Sequence, residues 1–226
     1  ITSDKGLKRN SVTDSERPGR YLLKTIGGEG TNQTKNKLSN PNSLSVHEDR
    51  VYILDNGHNS IKVFDLDFNF IQEVNSTSLF NNPNYGELMS IVVDKYSDTS
   101  DLVQGYVLSS RGKVFTYDVI NNTIKLPTSL YDYYDTRVNL LSATDLSNSF
   151  NKIVNSKLNK NILYISNKGR IYKYYKTNFK TYISELDLLK HGIAIGTEED
   201  QKEILSFDTT LHNGKEYIAV TTTNYP

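Results

Sequence analysis

The sequence predicts an all-β fold: a β-propeller with about four blades of antiparallel four-stranded meanders in view. Three observations predict it. Short runs rich in Val, Ile, Tyr and Phe alternate with Asp/Asn/Gly clusters, which is how strands joined by tight turns read. Four similar runs, ending at Asp55, Ser109, Ser166 and Val220, recur at spacings of 54, 57 and 54 residues. The first three are followed by Asn56-Gly57, Arg111-Gly112 and Lys168-Gly169, each leading into another strand. Glycine supplies the positive φ that a two-residue hairpin demands.

The first 18 residues, which mix charge with Ser, Gly and Pro and show no period, read as a flexible arm. Residues 19–226 read as the propeller segment, with units at about 40–74, 88–126, 150–183 and 203–226. Tyr21 to Ile26 is the first strand, closed by Gly27-Gly28-Glu29-Gly30, which lacks the Lys-Ser/Thr and the βαβ context of a phosphate loop.

The best-formed unit is Asn40 to Phe70. Ser43–Val46, Arg50–Leu54 and Ser60–Phe64 form strands, and a fourth follows from Phe68 to Val74. The second unit has Met89–Val93, Tyr106–Ser109 and Lys113–Tyr117, with its first hairpin lengthened by Ser97–Gln104. The third has Ile153-Val154, Leu163–Ser166 and Arg170–Tyr174; the fourth has Ile204–Phe207 and Tyr217–Val220. Tyr131 to Ser149 is the longest insertion, and Ser184 to Lys190, with an N-cap Ser and Gly192 beyond, is a candidate for one or two helical turns. With two strands of the fourth unit absent, the segment is expected to belong to a larger or partner-completed propeller and to be a fragment or cleavage product.

Over Tyr21–Val74 the chain resembles the NHL-repeat family of β-propellers. The residues that carry the likeness are Leu23-Lys24-Thr25-Ile26-Gly27 with Gly30, then Pro41–Val46, Val51–Asp55, Asn59, Ile61 and Val63-Phe64-Asp65. The other repeats keep the strand spacing and not the motif. Where the family usually has Gly or another small residue, Ser43 and Ser45 stand; where it favours Arg, Ser60 stands. The resemblance implies a propeller that serves as an interaction module. Some members bind RNA, some bind proteins, and a few related propellers are lyases or hydrolases.

Composition narrows the classes. Lys plus Arg equals Asp plus Glu at 26 each, so the basic excess of a nucleic-acid-binding domain is missing and no nucleic-acid partner is favoured. There is no cysteine, hence no disulfide and no thiolate zinc site. No apolar run reaches membrane-spanning length and no signal peptide opens the chain, so membrane insertion is not expected and a virion or cytoplasmic location is.

Candidate chemistry is sparse. His47, His58, His191 and His212 fall in turns or loops without metal-ligand spacing, and are expected at the surface. Asp65-Leu66-Asp67-Phe68-Asn69 begins like a calcium loop but has Phe70 where Gly is needed and Asn81 where Glu is needed. Asp55, Asn59 and Asp65 are expected to hold turns through side-chain bonds to backbone N–H groups. Tyr172 and Tyr174 share one strand face and read as core. No catalytic set, metal or cofactor is expected. Tyr131, Tyr133 and Tyr134, in the long insertion, are the candidate interaction residues, since aromatics on loops supply contact area.

The function expected is therefore a non-enzymatic scaffold or protein-interaction module inside an assembly, for instance a structural component of a virus particle. Two alternatives stand beside it: a propeller enzyme, lyase or hydrolase, working at the central channel, and a glycan-binding propeller domain.

Overall fold

The computed structural model describes residues 37–75, 82–129, 150–167, 169–187 and 203–223. The arm at 1–18, the strand at Tyr21–Ile26, the insertion carrying Tyr131, Tyr133 and Tyr134, and His191 lie outside the described residues.

Alternation of side chains builds the sheets. In β1 (Pro41–His47), β2 (Arg50–Asp55), β3 (Ser60–Asp65) and β4 (Phe70–Asn75), successive residues point to opposite faces. These strands pair in sequence order as one antiparallel sheet. The same order recurs in β5 (Leu88–Ser97), β6 (Ser100–Ser109), β7 (Lys113–Asp118) and β8 (Thr123–Ser129), and again in β9 (Phe150–Asn155), β10 (Ile162–Asn167), β11 (Arg170–Tyr175) and β12 (Asn178–Asp187). A two-stranded sheet of β13 (Ile204–His212) and β14 (Lys215–Thr222) follows.

The first strands of successive sheets, β1, β5, β9 and β13, lie next to one another, and the sheets stack face to face. This is the arrangement of a β-propeller: meanders radiating from a common axis, each with its first strand innermost.

Hydrophobic burial between the blades holds them together. Tyr52, Leu54, Ile61 and Val63 of the first sheet pack on Leu88, Ile91, Val93, Val107, Phe115 and Tyr117 of the second. The second sheet turns its other face, Tyr106, Leu108 and Val114, to Phe150, Ile153, Leu163, Ile165, Tyr172 and Tyr174 of the third. Thus Val107 and its neighbours Tyr106 and Leu108 serve two different cores, as a period of two requires. The third sheet meets the fourth through Val154, Ile162, Tyr164 and Ile171 against Ile204 and Phe207. Each such side chain, fully buried, contributes about 1.5–3 kcal/mol.

Short hydroxyl side chains join the innermost strands. Ser43 Oγ accepts the Ile91 N–H at 3.1 Å and Ser45 Oγ accepts the Val93 N–H at 2.9 Å. Ser90 Oγ lies 3.5 Å from the Ile153 carbonyl, and Thr209 Oγ1 donates to the Asn155 carbonyl at 2.8 Å. An innermost strand has an open edge, and these hydroxyls satisfy part of it.

Three local expectations are corrected. Asn56–His58 is a turn of 3-10 helix, and the left-handed residue is Asn59 (φ 51°), not Gly57. A loop two residues longer than the expected two-residue hairpin moves the positive φ onto Asn59. Gly57 is required for space instead: a Cβ there would sit 2.4 Å from Ser39 Cβ. Phe68, expected to open β4, has φ 58° and lies in the turn, so the strand begins at Phe70. Ser184–Asp187 is not helical; it continues β12, paired to Arg170–Lys173 of β11. The extended pairing partner satisfies its backbone where a helical turn would leave the β11 edge open. Ser97–Gln104 lengthens its hairpin as regular strand, β5 and β6 reaching ten residues each.

Candidate functional site

Antiparallel turns alternate between the two ends of a blade, so the polar residues fall into two groups. At one end are the β2–β3 and β6–β7 turns; at the other are the β1–β2, β5–β6, β9–β10 and β11–β12 turns.

At the first end, Asp55 is the hub of a buried corner. Its carboxylate accepts the Ser39 N–H at 3.1 Å, the Asn40 N–H at 2.8 Å and His58 Nδ1–H at 2.7 Å. Lys62 Nζ stands 3.9 Å from the same carboxylate and 3.9 Å from that of Glu73, and donates to the Lys37 carbonyl. His58 is buried rather than at the surface, because its ring is drawn inward by Asp55. Asp55, His58 and Ser60 are the residue types of a nucleophilic triad, and all three are buried. Yet among the described residues His58 Nε2 and Ser60 Oγ each lack a partner, so the two do not bond to each other. The corner is a buried, hydrogen-bonded knot.

Beside it, between the first two sheets, opens a cleft of about 670 Å³ lined by Asn40, Asn56, Asn59, Asn82, Glu87 and Ser110, with Leu88 and Met89 on its apolar side. Asn42 Nδ2 and Asn56 Nδ2 both donate to the Leu88 carbonyl, at 2.7 and 2.8 Å. Ser110 Oγ accepts the Glu87 N–H at 3.1 Å.

At the opposite end three blades meet around Asp94. Lys160 Nζ of the third blade donates to its Oδ2 at 2.6 Å, and His47 Nδ1 of the first lies 3.5 Å from its Oδ1. Burial would raise the Asp94 carboxyl, but the bonds from Lys160 and the Lys95 N–H outweigh it and hold the group below its ordinary value. Lys176, only 4% exposed, donates to the Lys95 carbonyl at 2.7 Å, and its Nζ lies 5.8 Å from the centre of the Tyr106 ring. Burial pulls the Lys176 ammonium down to about 8, with Asp94 opposing the shift and Lys160 adding to it. Burial, and Tyr96 after it, raises the Tyr106 hydroxyl, which has no hydrogen-bond partner among the described residues.

Farther round, Glu216 of β14 accepts bonds from Ser156 Oγ and Tyr164 OH, both at 2.9 Å. Burial and this bond push the Tyr164 hydroxyl up to about 12.

Asp65 spends its carboxylate on the Asn69 N–H at 2.7 Å and Asn69 Nδ2 at 2.9 Å, which closes the β3–β4 turn. Asp118 does the same for Ile120 and Asn121 in the β7–β8 turn. Asn59 supplies the left-handed corner after the β2–β3 turn. Tyr172 and Tyr174 are buried in the core between the second and third sheets, while Tyr175 is exposed. Among the described residues, no group of three or more His, Asp or Glu is placed to hold a metal ion.

Asp94, Lys160 and Lys176 were not singled out by the sequence. The two lysines, both on the third blade, stand 66 and 82 residues from Asp94 on the second, so no local motif joins them to it. The one signal is repeat register: Asp94 follows Val93 in β5 as His47 follows Val46 in β1.

No protein-family model matches the chain, and no curated protein matches it. Among solved structures it is similar to virginiamycin B lyase from Staphylococcus aureus, at 12% identity and a TM-score of 0.46, covering 83% of this chain and 56% of that one. It is similar to a streptogramin B lyase at 14% identity and a TM-score of 0.45, covering 76% of this chain and 44% of the other. It is also similar to the extracellular domain of the one component system BT4673 from B. thetaiotaomicron, at 13% identity and a TM-score of 0.47, covering 84% of this chain and 21% of that one. The chain spans between 21% and 56% of the length of these structures, and its β-propeller architecture is read from its own strand order and blade packing.

Proposed function

We propose that the chain is a non-enzymatic β-propeller module for protein interaction, forming part of a larger or partner-completed propeller within an assembly. The observation that carries this reading is apolar exposure on the two outermost sheets. On β1, Leu44 and Val46 point away from the second sheet and are 60% and 55% exposed. On the fourth sheet, Leu205 is 59% and Tyr217 49% exposed. Every face between the sheets is packed, and large exposed apolar groups at the two ends of a stack mark surfaces suited to a further blade or a partner. Tyr131, Tyr133 and Tyr134 are proposed as further interaction residues on their sequence alone. A virus-particle component is one form the assembly could take; its support is the cysteine-free, Asn- and Tyr-rich composition alone.

The buried Lys176 lends no support to an enzymatic reading, because its Nζ is spent on the Lys95 carbonyl. The test is sedimentation velocity over a wide concentration range, on the wild type and on a Leu44→Lys/Leu205→Lys variant. Concentration-dependent association, lost in the variant, is the expected result. A wild type that stays monomeric and behaves like the variant counts against the reading.

A further inference from the structure

The amide-lined cleft between the first two blades has a chemistry that neither the fold nor the interaction surfaces use. Both Asn42 Nδ2 and Asn56 Nδ2 donate to the Leu88 carbonyl, so that oxygen's two lone pairs are taken. This fixes the orientation of the Asn56 amide: its nitrogen is engaged and its oxygen must point elsewhere. Asn56 Oδ1 is buried and has no hydrogen-bond partner. A buried acceptor of this kind calls for a donor that the described residues do not supply.

Around it, Asn40, Asn59 and Glu87 line the same cleft. Asn40 and Gly57 are held by the Asp55 corner, through the Asn40 N–H at 2.8 Å and the contact of Gly57 with Ser39, so the wall is rigid. Asn59 is held by its left-handed backbone, with its N–H donated to the Asn56 carbonyl at 3.2 Å.

We propose that this cleft binds a neutral polyhydroxylated ligand, a saccharide, through the amides of Asn40, Asn56 and Asn59. A primary amide offers a donor and an acceptor side by side, which matches a pair of neighbouring hydroxyls. Among the described residues no lysine or arginine and a single carboxylate, Glu87, line the cleft, a balance that suits hydroxyls better than phosphates, carboxylates or a cation. Leu88 and Met89 give a C–H-rich ring face an apolar surface to lie on. The site is independent of the end faces of the stack, so its test stands or falls separately from theirs.

Saturation-transfer NMR on the full chain would use galactose, mannose, N-acetylglucosamine and arginine as separate probes. Transfer to the ring protons of at least one sugar is expected. Asn40→Ala and Asn59→Gly should each weaken it by about fivefold or more, a loss in line with one hydrogen bond. Glycine is chosen at position 59 because it keeps the left-handed backbone. Glu87→Gln should retain sugar binding within about threefold. No transfer from any sugar, or transfer unchanged in both Asn variants, overturns the assignment. So does arginine binding that Glu87→Gln abolishes, which would make the cleft a cation site.

Discussion

Ser45 Oγ, on the innermost strand of the first blade, accepts the Val93 N–H from the innermost strand of the second at 2.9 Å. Together with Ser43 and Ile91 it makes the join between these two blades near the axis polar, while the packing farther out is mainly apolar. Ser45→Ala should therefore lower stability by about 1–2 kcal/mol, the cost of a half-buried N–H left without its acceptor. Urea denaturation measures the loss, and amide exchange at Val93 should accelerate. Unchanged exchange at Val93 would show that the bond carries nothing.

Asp55→Ala should cost more, about 3 kcal/mol or above. It strips the acceptor from Ser39, Asn40 and His58 at once and leaves buried Lys62 with Glu73 alone of its two nearby carboxylates. Asp55→Asn keeps part of the geometry and should cost less. A thermal midpoint for Asp55→Ala close to wild type would mean that water replaces the carboxylate freely.

Lys176 carries a pH signature. Its folded-state value is about 8 against an ordinary 10.5, so the folded chain releases this proton first. Between pH 8 and 10.5 the unfolded chain holds more protons, and the Lys176 contribution to stability rises with pH by up to about 3 kcal/mol. Below pH 8 both states are charged and the contribution is flat. The measurement is the difference in unfolding free energy between wild type and Lys176→Met across this window, in which tyrosine ionisation common to both cancels. A difference that stays constant from pH 7.5 to 10.5 would refute the shift. At neutral pH the Met variant should match or exceed the wild type, since a desolvated cation is replaced by an apolar side chain.

Two glycines with the same backbone should behave differently. Gly112 has φ +67° and Gly214 φ +70°, so alanine is strained at both, by about 1–2 kcal/mol. At Gly214 nothing lies within 4 Å of an added Cβ, whereas at Gly112 the Phe150 ring lies 2.7 Å away. Gly112→Ala should thus add a packing cost of about 1–3 kcal/mol to the backbone cost. Equal melting temperatures for the two variants would rule out the steric part.

The strands were legible because their signal is local. Val51 to Asp55 and Ser60 to Asp65 announce themselves by β-branched and aromatic content, and their turns by Asn, Asp and Gly. Turn length was less legible: Asn56-Gly57 reads as a two-residue hairpin, and only the approach of Ser39 explains why glycine stands there. Burial of His58 escaped the sequence for the same reason, since its partner Asp55 reads as a turn residue with backbone duties. The amide cleft was not legible, and the Asp94 junction left only the trace of repeat register. Each is assembled from different blades, and asparagine is so common in this chain that Asn40, Asn56 and Asn59 do not stand out.

The pairing of Ser43 and Ser45 with β5 also bears on geometry. Near the axis the first two sheets are separated by serine side chains, while farther out Tyr52 and Tyr117 meet edge to face with ring centres 6.2 Å apart. Small spacers inside and large ones outside give each pair of blades the taper of a keystone. The angle between neighbouring blades, and so the number needed to complete a circle, is then written in the size contrast between positions 45 and 52. Enlarging the inner residue, as in Ser45→Leu, would flatten the taper and open the arc, where Ser45→Ala removes a bond and keeps the angle.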